Sequence, residues 1–326
     1  MARVPTTRAI PAAAGYPQYS GNLIHPVVSQ ELLERFYATT IFGSISTTQY
    51  LGELKGRGDQ ITFFRKPEVS VREHIKDGVI QHDTLEADTH TMVIDQAHEW
   101  SVKMAVLDES MMAMWPKFKA GMMESASHAM MNMQDRRILR SIYADAHVAN
   151  QGAAAGIQTG MYNLGTVGAP LDITSAEQLA RFLGRLQSVL NEQNVPREGR
   201  YVVLPLVAEQ ILRTSNWLAL VGNQGGYNPD QILNGRLPNK VMGFDVYISH
   251  NLETVVDPTT NDICYYVIAG LPMATAYASV LENTRIIDND KDSWDVFYQG
   301  LLAWGFDVIY PMALSTAYVT FDAGAL

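Results

Sequence analysis

The densest group of potential metal ligands lies in the segment QHDTLEADTH, where His82, Asp83, Asp88 and His90 fall within nine residues. Imidazole and carboxylate groups are common ligands of zinc and related cations. Their spacing matches no short signature such as His-Glu-x-x-His, and the charged surroundings offer little apolar packing to fix ligand geometry. We therefore interpret the group as a charged surface. A metal-dependent enzyme is the alternative, and a stoichiometric metal content would support it.

Three other patterns suggest chemistry only weakly. Asp288, Asp290 and Asp292 resemble the start of a calcium loop, but the glycine and the closing glutamate of that loop are missing. Cys264 is the single cysteine and lies in an apolar, strand-like run, which is typical of a buried small side chain. Phosphate-binding glycine loops and serine elbows are also missing from the sequence. The sequence thus predicts no enzyme, no cofactor and no metal site.

The triplet Arg57-Gly58-Asp59 is the one that integrin ligands use, which would imply a secreted adhesion protein. With one cysteine the chain has no disulfide framework, and this favours a reducing, intracellular site of folding. We expect the triplet to form a turn that leads into a strand, GDQITFF, with Ile61 and Phe63 on one face.

Composition indicates a globular protein that is not built to wrap nucleic acid. Of its 326 residues 47% are hydrophobic and 18% charged, and the net charge is -10. Phosphate binding favours a concentrated basic surface instead. The uncharged run 263–281 comes nearest to a membrane span, but Gly270 and Pro272 interrupt it, so we expect two strands around a turn and no membrane span.

Charge is concentrated in one segment. Eleven of the 31 residues from Arg65 to Asp95 are charged, mostly basic in the first half and purely acidic in the second. Val69 and Val71 alternate there with polar residues, which indicates extended structure. We expect a long two-stranded arm with one basic and one acidic edge. Because an isolated hairpin has too little core to be stable alone, it should pack on a further surface, for which another subunit is one candidate.

The remaining sequence predicts an ordered series of elements. A short helix over 29–42 precedes the strand and the arm, and a helix of about 30 residues begins near Pro116. Nine of the fifteen methionines lie between Met104 and Met133, as expected for residues that fill gaps in a core. A glycine-rich loop then leads to an α/β unit, where Thr174 and Glu177 suggest a capping box. The buried stripe of its helix is predicted at Leu179, Phe182, Leu183, Leu186 and Leu190.

The order of these parts resembles the major capsid proteins of tailed bacteriophages, which share the α+β Hong Kong 97-type fold. GDQITFFRKP resembles the start of that family's extended hairpin, the E-loop. MWPKFKAGMMESASHAMMNMQDRRIL occupies the position of its spine helix. LPNKVMGFDVYISHNL is similar to a Gly-Phe-x-Val strand and corner of podophage coat proteins, and NVPREGRYVVLPLVAEQIL to the strand-Pro-helix before their axial loop.

The resemblance implies a division of the chain into six parts. These are an N-terminal arm and short helix (1–44), a peripheral-domain strand (45–64), the E-loop hairpin (65–92), a peripheral domain with the spine helix (93–168), an axial domain (169–295) and C-terminal strands returning to the peripheral domain (296–326). Together with the charge pattern it indicates intersubunit contacts at Arg65, Lys66, Glu68, Arg72, Glu73, Lys76, Asp83, Glu86, Asp88, Arg136, Arg137, Arg140, Tyr227, Asn228, Arg236 and Lys240.

The implied function is a coat protein that assembles with itself, as hexamers and pentamers of an icosahedral lattice, around double-stranded DNA. Implied partners are a separate scaffolding protein, a portal protein and a decoration or cement protein, with no membrane and no sequence-specific contact to DNA. The implied location is the virion capsid, assembled in the cytoplasm of a bacterial host. An encapsulin-like compartment shell of the same fold is the alternative.

Overall fold

The described part of the chain forms an α+β structure with two sheets and one two-stranded ladder. The computed structural model describes residues 40–48, 60–64, 69, 71–73, 82, 84, 89–105, 115–214, 240–288 and 295–321. The helices are α1 (Phe42–Ile45), α2 (Trp115–Leu139), α3 (Ala176–Glu192) and α4 (Leu206–Thr214). The strands are β1 (Gln60–Phe64), β2 (Thr89–Val93), β3 (Gln96–Ala105), β4 (Leu171–Ile173), β5 (Tyr201–Leu204), β6 (Lys240–Val241), β7 (Phe244–Ile248), β8 (Thr254–Val256), β9 (Ile263–Gly270), β10 (Thr275–Ile287), β11 (Asp295–Val308) and β12 (Leu314–Phe321).

The larger sheet has the order β4-β12-β9-β5-β7-β6, with β8 added beside β9. Its strand β5 is buried on both faces: Val202 and Leu204 pack with α3 and α4, whereas Tyr201 and Val203 pack with the end of α2. A strand covered on both faces needs a continuous apolar run, and RYVVLP supplies one. The predicted strand is therefore confirmed.

Helix α3 covers one face of this sheet through the predicted leucine-rich stripe, all of which is buried. Its capping box differs from the prediction by one residue. The helix begins at Ala176, so the third helical position is Gln178, whose N–H donates to the Ser175 hydroxyl while its side chain accepts from the Ser175 N–H. Glu177 is paired with Arg181 along the helix surface at 2.6 Å instead.

A buried arginine closes the other end of α3. Arg200 is 1% exposed and donates to the backbone carbonyls of Gln187, Val195 and Pro196 at 3.2, 2.7 and 2.8 Å. Val195 and Pro196 follow the helix, so the guanidinium group satisfies carbonyls of that loop and holds the loop against the last turns of α3. Burial, followed by the nearby Arg197, lowers the pKa of Arg200 from its ordinary value. No short motif in the sequence signals this arrangement.

The smaller sheet has the order β10-β11-β3 and is antiparallel throughout. Helix α2 crosses one face of it, where Trp115 packs on Val296 and Tyr298 and is joined by Met122 and Met123. Methionine suits such irregular contacts because its side chain is unbranched and flexible.

Helix α2 is the predicted spine helix, but it is shorter than the expected 30 residues. Its 25 residues span about 37 Å at 1.5 Å each, and it ends at Leu139. The chain turns there because the Ser141 N–H and hydroxyl bind the carbonyls of Ile138 and Arg137. None of the helices in the described ranges combines the length and the hydropathy of a membrane span.

A buried carboxylate joins three elements near the end of α2. Asp135 Oδ1 accepts the N–H groups of Ile41 and Phe42, at the start of α1, at 3.0 and 2.9 Å. Its Oδ2 accepts from Asn251 Nδ2, in the corner after β7, at 2.8 Å. Burial raises the pKa of Asp135, and these donors offset part of that rise.

The two sheets are connected by a pair of matching turns. Pro272–Ala274 leads from β9 into β10, and Pro311–Ala313 leads from β11 back into β12; both have the sequence Pro-Met-Ala. The turns lie against each other, since the Leu271 N–H donates to the Ala313 carbonyl and the Ile309 N–H to the Ala274 carbonyl. The two strands predicted within 263–281 are confirmed.

The strand pairings cross the predicted boundary at residue 295. Strand β10 falls within the predicted axial part 169–295 yet pairs with β11 in the smaller sheet, and β12 falls within the returning part 296–326 yet pairs with β4 and β9 in the larger one. A strand-like sequence pattern identifies a strand but not the strands that pair with it. The sequence therefore did not reveal that the chain passes from one sheet to the other at each Pro-Met-Ala turn.

Asp257 anchors the glycine-rich loop to the turn after β8. Its Oδ2 accepts from the Gly168 N–H at 2.7 Å, and its Oδ1 accepts from Thr259 and Thr260 at 2.8 and 3.0 Å. Burial alone would raise the pKa of Asp257, but the hydrogen bonds from the backbone N–H groups of Gly168, Thr260 and Thr259 outweigh burial and lower it to about 2.

We therefore expect Asp257 to contribute acid-dependent stability. Because its folded pKa lies below the ordinary value of about 3.9, the contribution is complete above that pH and is lost as the pH falls towards 2. Asp257→Asn should lower the thermal midpoint of the unassembled chain at pH 6, and the difference from the wild type should shrink towards pH 2. The exposed Asp262→Asn serves as control. A difference that is constant with pH would contradict this assignment.

Candidate interaction surfaces

The base of the predicted arm is a short antiparallel ladder. Strands β1 and β2 pair from Gln60 opposite Val93 to Phe64 opposite Thr89. The segment that connects them therefore starts and ends at neighbouring positions, at the Phe64–Thr89 end of the ladder. Ile61 and Phe63 are both buried, as predicted, and Phe64 is 73% exposed. This is the geometry that the base of a projecting hairpin requires.

Most of the arm itself lies outside the described residues. Val71 is 95% exposed, and Arg72 and Glu73 are exposed as well. Their predicted contact with a second copy stays a prediction. The remaining predicted contacts of the arm lie outside the described ranges: Arg65, Lys66, Glu68, Lys76, Asp83, Glu86 and Asp88.

The arm base is held to the smaller sheet by close packing. Ile61, Phe63, Met92 and Ile94 form a cluster with small side chains of β10 and β11. Next to this cluster, a Cβ added at Gly305 would lie 2.8 Å from the Val93 carbonyl oxygen. A larger residue there would force β2 away from β11.

His90 belongs to this attachment. Its Nε2 lies 2.9 Å from Asp307 Oδ2 in β11. Asp83 and Asp88 fall outside the described residues, and within the described ranges no three His, Cys, Asp or Glu side chains form a group that could hold a metal ion. Cys264 is buried, as predicted.

Three arginines at the end of α2 form a basic cleft. Arg136, Arg137 and Arg140 are exposed because Ile138 and Leu139, between them, face the core. Arg140 Nε also lies 3.3 Å from Glu253 Oε2. The three guanidinium groups share an open cleft of about 460 Å³ with Asp95, Gln96, His98, Met133, Ser141 and Phe306.

This basic cleft can bind carboxylates, because a guanidinium group donates two parallel hydrogen bonds to such an anion. The positive charges of the arginines also interact favourably with the negative, C-terminal end of the α2 dipole. This interaction is a structural reason for their position. The structure thus brings the three predicted residues together on the surface, and their contact with a second copy stays a prediction.

The predicted axial contacts are described only at Lys240. Lys240 Nζ lies 3.7 Å from Oδ1 of Asp245, the residue opposite it in the β6–β7 hairpin. The lysine charge is therefore partly neutralised by a carboxylate of the same chain. The hairpin turns at Met242 and Gly243, which both have positive φ angles, 50° and 81°. Tyr227, Asn228 and Arg236 lie outside the described residues.

The fold is that of phage capsid structures. One match is a structure from Mycobacterium phage Che8, at 21% identity and a TM-score of 0.65, covering 93% of this chain and 98% of that chain. A capsid structure of Cyanophage P-SCSP1u matches at 17% identity and a TM-score of 0.66, covering 92% and 94%. The capsid of Ralstonia phage GP4 matches at 13% identity and a TM-score of 0.63, covering 94% and 98%. No protein-family model and no curated protein matches the chain.

The chain therefore has the α+β Hong Kong 97-type capsid fold that its sequence predicted. The match extends over more than nine tenths of each of these structures, so the likeness concerns the whole architecture and not one motif.

The close approach at Gly305 gives a stability prediction. Gly305→Ala should destabilise the chain by about 1–3 kcal/mol, because the new methyl group overlaps the β2 backbone. The matched control is Gly184→Ala in α3, where the new methyl group would lie 3.9 Å from Met242 Cε and alanine should stabilise the helix by about 0.5–1 kcal/mol. Urea unfolding measures both. Equal midpoints for the two variants would show that β2 does not lie as close to β11 as described.

Proposed function

We propose that this chain is the major structural protein of a tailed-phage head and assembles with itself into an icosahedral shell around double-stranded DNA. The observation that carries the proposal is the whole-chain likeness to solved structures, two of which are named as phage capsids. In such a lattice each contact repeats in every copy, so weak pairwise contacts add up to a stable shell.

The charged surfaces support specific contacts in that shell. The arm projects from the β1–β2 base and lies across a neighbouring copy. Its acidic half, from Asp77 to Asp88, meets the basic cleft of Arg136, Arg137 and Arg140 on that neighbour. On this proposal residues 222–240 supply contacts around the five- and six-fold axes, and residues 1–21 contact a neighbour. The predicted six-part division of the chain provides the frame for these contacts, with β12 transferred to the axial part.

The chain's charge supports the proposed relation to the contents. A net charge of -10 disfavours tight binding of a polyanion, so packaged DNA would be confined without being held in place. Scaffolding, portal and cement functions belong to separate proteins on this proposal. Assembly takes place in the cytoplasm of the bacterial host.

The direct test is electron microscopy of the purified chain. Expressed alone or with a scaffolding protein encoded beside it, the wild type should give closed or aberrant shells in negative stain. Particles that also carry a portal and DNA would support the phage head, whereas cargo enzymes inside would favour the encapsulin-like alternative. A monodisperse monomer under every condition would contradict both.

The basic cleft gives a sharper prediction. Arg137→Glu should reduce shell yield at least tenfold, because it places a negative charge where the acidic half of a neighbour's arm binds, and its unfolding midpoint should stay close to that of the wild type. Arg181→Glu makes the same charge change on α3, where the wild-type arginine pairs with exposed Glu177, and should assemble normally. Sedimentation quantifies the assembled fraction. Normal assembly of Arg137→Glu would remove the cleft from the proposed contacts.

A further inference from the structure

A group of large apolar side chains is exposed along one continuous set of connections. Val148 and Met161 are 81% and 80% exposed, and four others are between 41% and 52% exposed. We call this group the apolar ridge, and its members are Val148, Ile157, Met161, Met273, Tyr310 and Met312.

Hydrogen bonds join the elements that carry the ridge. The Gly156 N–H, beside Ile157, donates to the Ala149 carbonyl at 2.7 Å. Asn150 Nδ2 donates to the Met312 carbonyl at 2.8 Å. The two Pro-Met-Ala turns lie against each other, as described above, and so bring the turn of Met273 beside that of Met312. The six side chains therefore belong to neighbouring elements and not to scattered positions.

The ridge is held in place by a buried amide. Asn150 is fully buried; its Nδ2 also donates to the Leu314 carbonyl, and its Oδ1 accepts from Gln193 Nε2. Its own carbonyl accepts from the Ser315 hydroxyl at 2.9 Å. A surface fixed in this way loses little conformational entropy on binding, which favours affinity.

Charge is missing from the segments that form the ridge. Residues 147–171, 263–281 and 308–321 contain no Asp, Glu, Lys or Arg, although the chain has 24 basic and 34 acidic residues. Depletion of charge together with enrichment in methionine and aromatic residues distinguishes the core of a protein interface from other surface. The absence of basic groups makes these segments unsuitable for nucleic-acid phosphates or an anionic membrane.

We propose that the apolar ridge is a contact surface for a second copy of this chain. The inference rests on the proposed shell function, because a closed lattice requires each copy to contact its neighbours in more than one place. Six large side chains with this exposure present several hundred square ångströms, the same order as the roughly 800 Å² per partner of a standard interface. The arm and the basic cleft supply charged contacts, which salt weakens; the ridge supplies a contact that salt does not screen.

Charge insertion tests the ridge. Met161→Glu and Met312→Glu replace exposed side chains, so both variants should keep the circular dichroism and the unfolding midpoint of the wild type. Their assembled fraction should fall at least tenfold in low salt and in 0.5 M salt alike. The matched control is Val256→Glu in β8, where the wild-type side chain is 60% exposed but lies outside the ridge, and it should assemble normally. Normal assembly of both ridge variants, or an equal loss in the control, overturns the inference.

Thiol labelling tests the ridge contact separately from the proposed shell function. In a Cys264→Ala background, Met312→Cys should react with a maleimide in the unassembled chain and at least tenfold more slowly in assembled particles, while Val256→Cys reacts alike in both. Shells in which position 312 remains fully reactive overturn the ridge alone. A wild type that stays monomeric at every concentration overturns the ridge and the proposed function together.

Discussion

A carboxylate that is buried without a cation must be solvated by protein donors, and at Asp135 this requirement fixes three parts of the fold at once. Within the described ranges no cation pairs with it; the N–H groups at the start of α1 and the amide of Asn251 bind it instead. Removing any one of these partners leaves a buried polar group unsatisfied, which costs about 1–3 kcal/mol. The end of α2 is thereby held against the larger sheet. The orientation of Arg136 and Arg137 on the outer side follows from this attachment.

The two sheets differ in what they offer to other molecules. The larger sheet is covered on both faces and serves as a core, with Arg200 and Asp257 satisfying backbone groups where its helices and turns end. The smaller sheet carries α2 on one face and the arm base on the other, and its uncovered strands carry polar side chains such as Arg285, which donates to Gln299 at 2.8 Å.

Local patterns in the sequence predicted local structure well. The alternation at Ile61 and Phe63 and the leucine stripe of α3 were confirmed because burial of one face leaves a period of two or 3.6 residues in the sequence. Long-range partners leave no such pattern. The pairing of His90 with Asp307, the position of β12 in the larger sheet and the three donors to Asp135 all join segments far apart in the chain. The duplicated Pro-Met-Ala tripeptide was a visible signal that a search for internal repeats would have found.

The place of β12 in the larger sheet has a consequence for synthesis. This strand fills the gap between β4 and β9, so the sheet can close only after the ribosome has made the residues beyond Val308. A nascent chain that stops earlier has both edges of that gap open and lacks the second Pro-Met-Ala turn. Such truncated products would expose unpaired strand edges, which favour aggregation. Folding of the larger sheet therefore depends on synthesis of the chain as far as Phe321.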